Sequence, residues 1–98
     1  MPYTYVWEFL VAPEYRAEFE QHYGVDGTWV KLFRCGDGYI ETLLLHDNAN
    51  EMRYLTIDRW RSEADYLRFK TDFSDGYAGL DKACEHLTID ETFLGAFS

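Results

Sequence analysis

Hydrophobic and polar positions alternate through the opening of the chain. Tyr3, Tyr5, Trp7, Phe9 and Val11 share one parity; Thr4, Val6, Glu8 and Leu10 share the other. Both sets are mostly apolar, which is the pattern of a strand covered on both faces. Glu8 is the exception. Pro13 suits the first turn of a helix, and Glu14 favours the positive end of its dipole. Tyr15, Phe19 and Tyr23 recur every four residues and stack on one helical face, with Gly24 as the stop. Trp29 to Arg34 alternates weakly and fits either a short strand or a single turn of helix. Gly36-Asp37-Gly38 is a turn signal.

Tyr39 to His46 reads as a strand, closed by the polar string Asp47-Asn48-Ala49-Asn50. Arg53 to Trp60 answers it, so the two predict an antiparallel hairpin. Within that second run Leu55 and Ile57 read as the helix-facing set, which places Tyr54, Thr56, Asp58 and Trp60 on the opposite face. Ser62-Glu63-Ala64-Asp65 has the form of a shortened capping box. Ser74-Asp75 marks a restart of that helix. Tyr77, Leu80, Cys84 and Leu87 keep helical spacing, which makes Cys84 a core residue rather than a reactive thiol. Thr88 to Phe97 ends the chain as a last strand.

The predicted order is strand, helix, strand, strand, helix, strand. That is the split pattern of a ferredoxin-like α+β domain: a four-stranded antiparallel sheet with its helices on one face. The 98 residues make a single domain, 1–98. Helices cover one side of the sheet only, yet the strands carry apolar residues on both. A second copy packed sheet against sheet supplies the missing cover, so a homodimer forming an α/β barrel is expected.

Composition adds weight to that expectation. Aromatic residues make up 18% of the chain, and such residues serve interfaces and ligand cavities as well as cores. The formal charge of −9 argues against nucleic acid and against an anionic membrane surface as partners. Apolar runs such as Leu43-Leu44-Leu45 are far short of a membrane span. Cys35 and Cys84 form no C-x-x-C pattern and no signal-like opening is present, so a cytoplasmic location is expected. The three histidines show no metal-binding spacing, and there is neither a phosphate loop nor a nucleophile elbow.

The run Tyr54-Leu55-Thr56-Ile57-Asp58-Arg59-Trp60-Arg61-Ser62-Glu63-Ala64-Asp65-Tyr66 resembles the third-strand-to-helix segment of the antibiotic biosynthesis monooxygenase-like family. Trp29-Val30-Lys31-Leu32-Phe33, Gly38-Tyr39-Ile40-Glu41-Thr42 and the closing Leu94-Gly95-Ala96-Phe97 look like the same lineage. The resemblance implies a dimeric α/β barrel enclosing a small, often aromatic molecule. It also implies oxidation of a phenolic compound to a quinone with no metal, flavin or other cofactor. Related barrels degrade haem with an Asn on the first strand and a Trp and a His on the later helix. This chain has Glu8 on that strand and neither Trp nor His between Ser62 and Lys82, so haem degradation is disfavoured.

In such a barrel the face opposite the helices lines the chamber. Glu8 and Asp58 are then the catalytic candidates, since a desolvated carboxylate titrates near neutrality and can take a phenolic proton. The competing reading is a carboxylate bonded to an Arg or Tyr at the sheet rim. Tyr54 and Trp60 are candidates for holding the ring, and Thr42 and His46 for further substrate contact. The expected function is a cofactor-independent monooxygenase-like protein acting on a small aromatic or polyketide-like compound. The alternative is a ligand-binding or stress-associated barrel without turnover.

Overall fold

The computed structural model describes residues 1–98. In chain order it contains β1 (Tyr3–Val11), α1 (Arg16–Tyr23), α2 (Thr28–Phe33), β2 (Tyr39–His46), β3 (Arg53–Trp60), α3 (Glu63–Asp72), α4 (Ser74–Cys84) and β4 (Thr88–Phe97). Single 3-10 turns at Pro13–Tyr15 and Glu85–Leu87 enter α1 and leave α4. The strands form one antiparallel sheet in the order β2-β3-β1-β4, the ferredoxin-like arrangement. No helix is long and apolar enough to cross a membrane.

The segment that its pattern left open, Trp29 to Arg34, is helical. Trp29, Val30 and Phe33 are its buried residues, an i, i+1, i+4 stripe that a strand would split between two faces. The later helix is in two pieces, as Ser74-Asp75 suggested. Its break falls at Phe73, whose half-buried ring stacks on Phe69 with centroids 5.5 Å apart. The Ser62 hydroxyl accepts from the Asp65 amide at 3.2 Å and starts α3.

All the helices pack on one face of the sheet. Phe19 and Tyr23 of α1, Phe33 of α2, Phe69 of α3 and Cys84 of α4 share a core with Tyr5, Phe9, Tyr54 and Trp60 of the strands. The register decides which strand residues lie there. Tyr5 pairs with Asp58, Trp7 with Thr56 and Phe9 with Tyr54, while β2 sets Thr42 against Asp58 and His46 against Tyr54. Directly paired residues share a face.

This corrects the facing assigned to β3. Tyr54, Thr56, Asp58 and Trp60 are the buried set beneath the helices, and Leu55 and Ile57 lie on the open face. Aliphatic character on β3 pointed the wrong way because this core is built of rings. The aliphatic residues instead form the outer layer: Val6, Leu10, Leu43, Leu45, Leu55 and Ile57 are all half-buried or exposed on the uncovered side. Trp60, fully buried, meets Phe33, Tyr39, Tyr66 and Phe69 with ring centroids 5.0–5.9 Å away.

The Gly36–Gly38 turn is held against the start of α3. Gly38 has φ of +95° and its carbonyl accepts from the Arg61 amide at 2.7 Å. A Cβ there would stand 2.4 Å from the Asp65 carboxylate, which itself binds Arg61 and Arg68. Gly38→Ala therefore meets both backbone strain and a blocked space. It should lower unfolding stability by about 1–3 kcal/mol in urea titrations followed by circular dichroism. An unchanged midpoint would show that the turn is not held this way.

Candidate functional site

A half-open cavity of about 230 Å³ lies between the helices and the aromatic face of the sheet. Its walls come from every layer of the fold. β1 gives Tyr5, Trp7 and Phe9; α1 and α2 give Tyr23, Trp29 and Phe33; β2 and β3 give Thr42, Thr56 and Asp58. Tyr77 and Asp81 of α4 and Glu91 of β4 complete it. An engineered cavity of about 150 Å³ holds benzene, so this one has room for a one- or two-ring molecule.

Asp58 is the buried carboxylate of that chamber. The residue is only 5% exposed, and its Oδ1 accepts from the Thr42 hydroxyl at 2.5 Å. Thr42 in turn lies 2.6 Å from the Tyr39 hydroxyl. No Arg, Lys or His pairs with it, and no protein group donates to its second oxygen. Burial away from water is the main influence on its titration and raises it from 3.8 to about 6, opposed by the Thr42 hydrogen bond. The carboxylate is thus a base of near-neutral strength with one oxygen free.

Above it the aromatic wall contains an orphan donor. Trp29 Nε1–H is the one buried side-chain polar atom with no hydrogen-bond partner. It lies near the Tyr23 hydroxyl and the Cys84 thiol and moderates the upward shift of both, but reaches neither with hydrogen-bond geometry. Tyr5 and Tyr77 are held well protonated, chiefly by burial and further by the charge of Asp58 and its acidic neighbours. They offer hydroxyl groups rather than phenolates.

The other sequence-derived candidates fall elsewhere. Glu8 is on the open face, paired with Arg53 at 2.7 Å, so it does not share a chamber with Asp58. Its environment is the ion-paired one. Trp60 lies behind the cavity wall and donates to the Tyr5 hydroxyl at 3.4 Å. Tyr54 and His46 stack on each other, 4.2 Å between ring centroids, at the far end of the strands. There Tyr54 donates to Glu20 and His46 Nε2 meets the Glu51 carbonyl at 2.7 Å. Of the six, Asp58 and Thr42 line the cavity and the rest do not. Tyr23, Trp29, Tyr77, Asp81 and Glu91 were missed as site residues. No local motif marks them; only the helix packing brings them over β3.

Fold and cavity together describe a ferredoxin-like domain with a half-open, aromatic-lined cavity under its helices. The chain belongs to the antibiotic biosynthesis monooxygenase family, whose model matches residues 2–72. Among solved structures, SnoaB from Streptomyces nogalater, a cofactor-independent oxygenase, is 19% identical with a TM-score of 0.74, covering 99% of this chain and 91% of its own. A conserved protein from Methanosarcina mazei Go1 is 13% identical with a TM-score of 0.79, covering 99% of this chain and 91% of its own. Likeness at such identity speaks for the fold. No curated protein matches the sequence.

The Asp58 environment has a thermodynamic consequence. Its proton is held more tightly in the folded chain than in the unfolded one, so the associated stability is complete below about pH 4 and is lost as pH rises through about 6. Asp58→Asn removes the buried charge and leaves an acceptor for Thr42. It should stabilise the protein by about 1–2 kcal/mol near neutral pH and by little near pH 4, in paired urea titrations. Equal effects at both pH values would mean that Asp58 is not desolvated.

Proposed function

We propose that the protein is a cofactor-independent monooxygenase acting on a small phenolic aromatic compound in the chamber under its helices. The observation that carries this is the unpaired, desolvated Asp58 carboxylate set in an aromatic cavity. Membership of the monooxygenase family and the likeness to SnoaB support it. A phenol lying against the rings of Tyr5, Trp7 and Phe9 presents its O–H to the free oxygen of Asp58. Deprotonation makes the ring an electron donor toward dioxygen. One oxygen atom enters the ring as a carbonyl and the other leaves as water, so phenol and dioxygen give quinone and water. Asp58 is the base, Thr42 fixes its orientation, and the aromatic wall keeps water out.

Oxygen uptake on a panel of one- and two-ring hydroxyaromatics tests this reading. The parent should consume oxygen with a rate that rises through about pH 6 as Asp58 ionises. Asp58→Asn should lower the rate by about a hundredfold or more and remove that limb of the profile. Binding without oxygen uptake, in parent and variant alike, would make the protein a ligand-binding module instead.

The open sheet face belongs to the same proposal. Its aliphatic layer, flanked by the Glu8–Arg53 and Glu41–Arg59 ion pairs, suits a second copy packed sheet to sheet. Leu43 and Leu45, 41% and 45% exposed, sit in that layer. Sedimentation at micromolar concentration should give twice the chain mass for the parent. Leu43→Asp with Ile57→Asp should give one chain mass. A folded monomeric parent would sink the dimer.

A further inference from the structure

The charge around the cavity is one-sided. Asp58, Asp81 and Glu91 all line it, and no Lys, Arg or His does. None of the three has a cationic partner, although seven of the chain's other carboxylates pair with an Arg: Glu8, Asp26, Asp37, Glu41, Asp47, Glu51 and Asp65. Glu91 accepts only from the Thr88 hydroxyl, at 3.2 Å. The Lys70 ammonium sits over the Tyr77 ring at 5.0 Å but does not line the chamber. The exposed Asp81 and Glu91 stand at the solvent side, whereas Asp58 is at the buried end. A net charge of −9 extends the same field beyond the mouth.

Electron-rich ring faces and unpaired carboxylates attract the same kind of ligand, a cation carried on an aromatic body. The orphan Trp29 N–H adds a requirement for an acceptor atom on that body, which a phenolic oxygen meets. We propose that the cavity selects phenols bearing a cationic amino group, with Asp81 and Glu91 receiving the ammonium at the mouth and the ring seated among Tyr23, Trp29 and Tyr77. Anionic aromatics, such as hydroxybenzoate-like acids, are excluded because a carboxylate there would face three like charges and no counter-ion. This selectivity rests on the cavity being the ligand site of the proposed oxygenase, but it concerns binding and does not require turnover.

Three compounds of nearly equal size and different charge separate the possibilities: tyramine, para-ethylphenol and para-hydroxyphenylacetate. Calorimetric titration of the whole chain at low ionic strength should rank them in that order, with tyramine about tenfold tighter than para-ethylphenol. Added salt should narrow the ratio, since the mouth carboxylates are exposed. Asp81→Asn with Glu91→Gln should bring it to within about twofold; a ratio that survives the double variant would overturn the assignment of the mouth. Equal affinities in the parent, a preference for the acid, or no binding of any of the three would each overturn the proposal. The charge ranking without oxygen uptake would preserve it while removing the oxygenase reading, so the two failures are distinct.

Discussion

Antiparallel pairing of the two central strands governs everything else in this molecule. With Tyr5 set opposite Asp58, Trp7 opposite Thr56 and Phe9 opposite Tyr54, the aromatic parity of β1 and the mixed parity of β3 are forced onto the same face. A shift of one residue would exchange every side chain between the two faces. The helices then close over rings rather than over aliphatic chains. Between those rings lies the chamber, with the Asp58 carboxylate on its floor.

That carboxylate conflicts with the interests of stability. Burial without a cationic partner disfavours its charge, and a hydrogen bond from Thr42 offsets only part of the penalty. Elsewhere the fold treats its acids differently. Glu8 is held by Arg53, Glu41 by Arg59 and Asp65 by Arg61 and Arg68. The contrast sets Asp58 apart from the other acids of the fold, and the unpaired Trp29 N–H stands in the same wall.

The two faces of the sheet divide the labour. The aromatic face, roofed by helices, bounds the cavity. The aliphatic face has no roof and suits a copy of itself. A chamber expected between two sheets is instead found between sheet and helices, on the face opposite the one proposed for association.

Local pattern alone determined a good deal here. Two-residue alternation in Tyr3–Val11 and Arg53–Trp60 sets those strands, because period follows from backbone geometry and needs no knowledge of the partner. Gly24 and Ser62 likewise act through their own neighbours. Which parity faces the helices is a different matter. Leu55 and Ile57 are as apolar as any core pair, and only the register with β1, set by contacts some fifty residues away, sends them outward. For the same reason Asp58 was visible as a candidate, while Trp29, Tyr77, Asp81 and Glu91 were not. They lie on α2, α4 and β4, and a shared cavity arises only when those elements dock over the central strands.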